Sequence, residues 1–278
     1  MGDSMNILKK IRRAVWPQFP STIESGSWKI ADCSLAGTGH LRRGRGCEDA
    51  GGWFRDGSLL CIAVADGAGS APQAALGSSI AVHTALLALR EHHMNVSPIS
   101  AQNAKSALVA ACRQTVSTLC ITADGLGADR CHLACTLILL VASPNFVFAA
   151  QIGDGAVVVK DANGNLISLT TPINGEFANE APLIGCAPSM DVQVRSLPRK
   201  PGDTFRLKSI AAFSDGIMRL ALKLPQGEPH PPFFTPLFDR LECLAEPDMK
   251  KMIQNFLNSP RVNARTDDDK TLITAVLQ

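Results

Sequence analysis

The stretch LACTLILLVASPNFVFAAQIGDGAVVVKDANGNLISL, residues 133–169, decides the fold class. Two apolar runs, Leu133–Ala142 and Phe146–Gln151, flank the turn formers Ser143-Pro144-Asn145 and predict a β-hairpin. Ala156–Lys160 and Leu166–Leu169 flank Asp161-Ala162-Asn163-Gly164-Asn165 and predict the next. Successive hairpins build an antiparallel sheet, because parallel strands need a long crossover between them.

Working outward, Trp28–Leu35 and Leu59–Ala65 read as strands before this region, and Met190–Leu197 and Asp203–Phe213 as strands after it. Gln73–His92 and Ala101–Ala123 are apolar at helical spacing. Ile217–Leu224 begins a helix, Pro225–Pro232 holds four prolines and reads as a loop, and Leu237–Ala245 and Asp248–Leu257 read as helices. Thr271–Leu277 is a closing strand. Strands dominate the middle and helices cluster on either side of it. That segregation predicts an α+β fold with a large antiparallel sheet system, not a doubly wound parallel one.

The chain has 278 residues, 46% hydrophobic and 19% charged, enough for one large domain or two small ones with a sizeable core. A net charge of +2 is too small to argue for a nucleic-acid surface. No apolar stretch reaches the ~18 residues of a membrane span. The nine cysteines show no C-x-x-C pair, and several lie in apolar runs, so they are expected to be reduced structural thiols of a cytoplasmic protein. Residues 1–27 form a basic extension ahead of a domain spanning 28–278. In it Ile7, Leu8, Ile11 and Val15 share one helical face beside Lys9, Lys10, Arg12 and Arg13, before Pro17 and Pro20. This segment reads either as an arm docking a partner or as a frayed terminal helix.

Five Asp-bearing motifs stand in order along the chain: Cys47-Glu48-Asp49, Val64-Ala65-Asp66-Gly67, Ile152-Gly153-Asp154-Gly155, Ser214-Asp215-Gly216 and Asp267-Asp268-Asp269-Lys270-Thr271. Apolar runs precede three of them: Leu59–Ala65, Phe146–Ile152 and Ile210–Phe213. A carboxylate at the end of a buried strand is costly unless its charge is compensated. Converging carboxylates would repel one another, and divalent cations would relieve that repulsion. Hard oxygen donors point to Mg²⁺ or Mn²⁺ rather than zinc. Each Asp-Gly pair alone could be an ordinary Asx-turn; all five in order argue against that for the set.

This order of motifs resembles the metal-dependent type 2C (PPM) protein serine/threonine phosphatases, from about Gly37 to Val276. Gly37-Thr38-Gly39-His40, Asp66-Gly67-Ala68-Gly69-Ser70-Ala71 and Gly175-Glu176-Phe177-Ala178-Asn179-Glu180 resemble a bacterial branch of that family. Ala134-Cys135-Thr136 is similar to its small-residue–Thr element. The resemblance implies two stacked antiparallel sheets flanked by helix pairs, with a centre for two Mg²⁺ or Mn²⁺ ions between them. It implies Asp66 as the bridging ligand and the Gly67 carbonyl as a ligand of the second ion. Asp215 and Asp268 would bind the first ion, Glu48 and Asp49 would hold the second ion's water, and Asp154 with Asp215 would form a weaker third site. The implied chemistry is in-line attack of water on a phosphoserine or phosphothreonine of a protein substrate, which would be a Ser/Thr kinase or a kinase target.

Two positions depart from the pattern. Gly44 stands where the family has a phosphate-binding Arg, with Arg42, Arg43 and Arg45 around it, and Ala68 stands where eukaryotic members have a His. A proton for the leaving alkoxide would come from water or from His40, whose bland reading is a loop imidazole bonded to backbone. The competing reading of the whole chain is a phosphatase-like scaffold that regulates a kinase by contact. Of Asp267, Asp268 and Asp269, one is expected at the metal, and the register is open. Asp161, Asp191 and Asp203 read as turn or surface carboxylates, and Gly175–Glu180 as either a substrate-facing flap or a packed loop.

Overall fold

The computed structural model describes residues 27–170, 183–186, 192–198 and 203–278. The basic arm before Ser27 and the Gly175–Glu180 segment lie outside the described residues.

Two five-stranded antiparallel sheets form the body. The first runs in the order β1 (Trp28–Leu35), β12 (Lys270–Leu277), β9 (Leu207–Phe213), β6 (Ala156–Asp161), β7 (Leu166–Thr170). The second runs β2 (Ala50–Asp56), β3 (Leu59–Ala65), β4 (Leu137–Ser143), β5 (Phe146–Ile152), β8 (Gln193–Leu197). A short hairpin, β10 (Leu222–Lys223) with β11 (Glu228–Pro229), stands apart. Helices α2 (Ala74–Glu91) and α3 (Ala104–Gly125) cover the second sheet. Helices α4 (Asp215–Ala221), α5 (Pro231–Cys243), α6 (Glu246–Leu257) and α7 (Pro260–Asn263) lie on the side of the first, and α1 (Thr38–Arg42) follows β1.

The side-chain alternation along each strand explains the layering. In β3, Leu60, Ile62 and Val64 enter the core between the sheets, while Cys61, Ala63 and Ala65 pack under α2 and α3. In β4, Ile138 and Leu140 face inward and Leu137, Leu139 and Val141 face the helices. Every residue of β3 is buried. Full burial of a large aliphatic side chain contributes roughly 1.5–3 kcal/mol. A one-residue slip would exchange the two faces and lose their separate packing, so the register is strongly specified. The four-layer α+β sandwich is the expected one.

Two ties lock the layers. Trp28, fully buried, donates its indole N–H to the Ser58 carbonyl at 2.9 Å, joining one sheet to the other. Lys29 Nζ donates to the carbonyls of Glu242 and Leu244 at 2.7 and 2.9 Å, so a cation meets the C-terminal end of α5.

Some expectations are corrected. The strand β2 and the short helices α1 and α7 were not foreseen. Pro231 and Pro232 open α5 instead of belonging to the loop, because proline in a helix's first turn sacrifices an amide that has no partner there. The strand expected from Asp203 begins at Leu207, and the helix expected from Ile217 begins at Asp215. Seven cysteines are free as expected, but Cys131 and Cys186 are paired in a disulfide, their Cα atoms 4.7 Å apart. Contact between residues 55 positions apart is not a property that sequence spacing shows. Among the described residues, no helix is long and apolar enough to cross a membrane.

Candidate metal centre

The chain delivers carboxylates to one end of the two sheets. Asp66 follows β3, Asp154 lies in the turn between β5 and β6, Asp215 opens α4 after β9, and Asp268 precedes β12. One carboxylate oxygen from each of Asp66, Asp154 and Asp215 lies within 4.8 Å of the others. Asp268 lines the same cavity of ≈ 190 Å³, together with His40, Gly67, Ala68, Thr136 and Leu183.

Close backbone packing creates the two Asp-Gly motifs that matter most here. A Cβ on Gly216 would lie 1.9 Å from the carbonyl oxygen of Asp269. A Cβ on Gly67 would lie 2.7 Å from the Glu48 carbonyl oxygen and 2.8 Å from Ala74 Cβ. These glycines let the neighbouring chain pass against the strand ends that carry the aspartates. Thr136 then clamps the backbone of Asp66: its Oγ1 accepts the Asp66 N–H at 3.0 Å, and its own N–H donates to the Asp66 carbonyl at 2.8 Å.

Asp49 and Glu48 approach from the loop before β2. Asp49 Oδ2 accepts from Ser214 Oγ at 2.7 Å, and Ser214 Oγ accepts the Thr271 N–H at 3.0 Å. Glu48 Oε1 pairs with Arg45 at 2.7 Å, so a guanidinium stands beside this expected metal-shell residue although Gly44 offers none. Arg42 instead pairs with Asp267 at the surface at 3.0 Å, where both are well exposed and the pair contributes little.

His40 corrects its bland reading. It sits in α1, buried, with Nδ1 3.0 Å from Asp269 Oδ2, and it lines the cavity. Its partner is a carboxylate, which accepts, so Nδ1 donates to Asp269, and Nε2 faces Glu48 Oε2 at 4.0 Å.

The run Asp267–Asp269 separates into three environments. Asp267 is exposed, Asp268 faces the cavity, and Asp269 is buried. Asp269 was not singled out from sequence. It accepts from the Gly37 N–H at 2.6 Å, the Glu48 N–H at 2.5 Å and His40, and so braces three parts of the site. The only signal was its place beside Asp268. Ser214 was quoted within its motif, but its link to Asp49 was not visible there.

The electrostatics show what the cluster needs. Burial first, then the charges of Asp49 and Asp215, push the Asp66 carboxyl well above its ordinary range. Burial pushes Asp49 up to about 7, and hydrogen bonds from Ser214 and Thr271 oppose it. Burial raises Asp215 to about 6, aided by the charges of Asp154 and Asp268 and opposed by a hydrogen bond with Asp66. Asp154 is raised too, by burial and by Asp268. Two unit charges 4.8 Å apart repel by roughly 3.5 kcal/mol at an effective dielectric of about 20. Three such charges therefore need protons or cations. Three buried oxygens without a hydrogen-bond partner among the described residues, Glu48 Oε2, Asp49 Oδ1 and Asp215 Oδ1, are placed to accept a cation. The donors are carboxylates, so the residues present fit a hard dication.

Clustered carboxylates at one end of two stacked antiparallel sheets between helices define a site fit for a hard dication. The chain's relatives narrow this. The family model described as Protein phosphatase 2C matches residues 36–258. Serine/threonine-protein phosphatase 3 of Escherichia coli (strain K12) is 36% identical over 262 residues, covering 90% of this chain and 98% of the relative. Among solved structures, the serine/threonine phosphatase Stp1 from Staphylococcus aureus superposes with a TM-score of 0.63 at 16% identity, over 94% of this chain and 99% of that one. A bacterial serine phosphatase superposes with a TM-score of 0.64 at 13% identity, over 91% and 98%. The chain belongs to the protein phosphatase 2C family. It is a serine/threonine-protein phosphatase of the metal-dependent type, and its substrate is a phosphoprotein.

Proposed function

We propose that the chain hydrolyses phosphoserine and phosphothreonine at a centre of two Mg²⁺ or Mn²⁺ ions, with a weaker third. In this reading Asp66, Asp215 and Asp268 would hold the first ion, and Asp66 would also serve the second. The Gly67 carbonyl, Glu48 and Asp49 serve the second, and Asp154 with Asp215 the third. The observation that carries the reading is the convergence of Asp66, Asp154 and Asp215 within 4.8 Å from three distant motifs. When bound, the ions neutralise phosphate charge and activate water.

The chain's own residues set the stage for that chemistry. Thr136 fixes the backbone at Asp66, Ser214 aims Asp49, and Arg45 pairs with Glu48. Hydrolysis leaves a serine or threonine oxygen in need of a proton. His40 is the titratable group of the cavity lining that is not a carboxylate, and Asp269 orients it. The scaffold reading is not favoured, since the carboxylates converge and the family is enzymatic. Residues 28–278 form the phosphatase domain in this proposal, with 1–27 as an extension that docks a partner such as a Ser/Thr kinase or its target. A cytoplasmic location belongs to the same proposal: seven free cysteines suit a reducing compartment, whereas the Cys131–Cys186 pair does not.

The deciding experiment measures hydrolysis of an aryl phosphate and a phosphothreonine peptide with Mn²⁺, with Mg²⁺ and with chelator. Turnover with either ion and none in EDTA is expected. Undiminished turnover in excess EDTA would sink the proposal.

A further inference from the structure

Among the helices over the first sheet lies a second cavity, of ≈ 370 Å³. Phe233 and Leu237 of α5 and Met252 and Phe256 of α6 form its walls. The Phe233 and Phe256 rings meet edge-on at 5.7 Å, and Phe256 remains 39% exposed. At the rim stand Arg261 and Arg265, both exposed. Neither has an ion-pair partner among the described residues. They are four apart, where the Ala264 N–H bonds Pro260 and the Arg265 N–H bonds Val262, so one turn carries both. Among the described residues, no carboxylate lines this cavity.

An apolar bowl under two unpaired guanidinium groups selects an apolar group joined to anions. The apolar part gains by leaving water, and each guanidinium forks onto a carboxylate. The volume is at the low end of the roughly 300–1,000 Å³ spanned by ligand cavities, which suits one large side chain better than a long acyl chain. The chain's own N-terminal arm is a poor occupant, because Lys9, Lys10, Arg12 and Arg13 would meet Arg261 and Arg265. The cavity also adjoins the metal centre along the chain. Leu220 lines it, and α4 begins at Asp215, about 7–8 Å away at 1.5 Å per residue. Arg265 precedes Asp268 by three residues.

We propose that this cavity is a docking subsite for the phosphoprotein substrate, taking one large apolar side chain flanked by Asp or Glu. The proposal rests on the phosphatase reading above. Docking there holds the phosphorylated residue near the carboxylate cavity and raises its effective concentration without adding to the chemistry.

The test uses the full chain with Mn²⁺ and a fluorescein-labelled peptide holding one leucine between pairs of glutamates. Anisotropy should show saturable binding that weakens with salt. The double variant Arg261→Glu/Arg265→Glu should bind about tenfold more weakly or worse, as expected for reversal of close charge pairs. Phe256→Ala and a peptide with alanine for leucine should each lose affinity through the apolar half. Joined by a flexible linker to a phosphothreonine segment, the docking sequence should lower KM and leave kcat unchanged, and the double variant should lose that KM advantage. No saturable binding, binding indifferent to the double variant, or binding with no effect on KM would overturn the proposal; so would a medium-chain fatty acid that outcompetes the peptide. Binding is read without turnover. Failure of the wild type to hydrolyse aryl phosphate with Mn²⁺ would therefore strike the metal-centre reading, separately from the anisotropy result.

Discussion

Asp269 Oδ2 accepts the backbone N–H of Glu48 at 2.5 Å, across 221 positions of sequence. The segment before the last strand thus holds the first acidic motif in place. The same carboxylate holds His40 and the Gly37 N–H, so loss of one buried side chain should disturb the whole mouth of the site.

Asp269→Ala leaves two backbone N–H groups without their acceptor. An unsatisfied buried donor costs roughly 1–3 kcal/mol, so the melting temperature should fall by several degrees. Turnover of aryl phosphate should fall more than about tenfold, as Glu48 and His40 lose their brace. Asp269→Asn keeps one carbonyl acceptor and should be intermediate in both. An alanine variant equal to wild type in melting temperature and kcat would refute the bracing role.

Asp66→Asn and Asp215→Asn should each nearly abolish turnover while preserving side-chain volume. Asp49→Asn should hurt less, because Ser214 can still donate to the remaining carbonyl oxygen. Asp161→Asn should stay near wild type: Asp161 accepts from Asn163 and Asn165 in a turn outside the cavity lining. Metal titrations of kcat/KM for the four variants make the comparison. Substantial activity in Asp66→Asn at saturating metal would contradict its proposed bridging role.

The raised carboxyls predict how metal-free protein responds to pH. Asp49 at about 7 and Asp215 at about 6 hold protons in the fold that they release in the unfolded chain, where their ordinary value is 3.8. Their favourable contribution is complete below that value and is lost as pH rises through about 6 to 7. In EDTA the melting temperature should therefore decline from pH 5 to pH 8. Mn²⁺ needs the ionised carboxylates and should recover stability most at the upper end, with protons released on binding. Thermal denaturation across pH with EDTA or Mn²⁺ checks both directions, and a pH-independent metal effect would count against the coupling.

Gly216→Ala should destabilise the fold, since its methyl would meet the Asp269 carbonyl oxygen at 1.9 Å. Either α4 or the Asp268–Asp269 backbone must shift, and both carry proposed metal ligands. Weaker metal binding should accompany a lower melting temperature. Gly46→Ala is the control, because open space surrounds that position.

The fold was legible where side-chain alternation met turn chemistry. The β4–β5 and β6–β7 hairpins were readable because apolar runs and Pro, Asn or Gly turns coincide there. The strand Ala50–Asp56 was not: it holds Gly51, Gly52, Arg55 and Asp56, and its strand character comes from pairing with β3. The opening of α5 was obscured by two prolines that usually break helices but are tolerated in the first turn.

The acidic motifs, their order and the preference for hard cations were readable from local chemistry, because Asp66, Asp154 and Asp215 each follow an apolar run and precede a glycine within their own segment. Asp269, Ser214 and Thr136 acquire their importance from partners 221, 165 and 70 positions away. The separation of Asp267, Asp268 and Asp269 into surface, cavity and core likewise depends on what packs around the chain before β12. Alternation and turns are short-range properties of a segment, whereas burial, hydrogen-bond partners and the resulting charge balance arise when the two sheets stack.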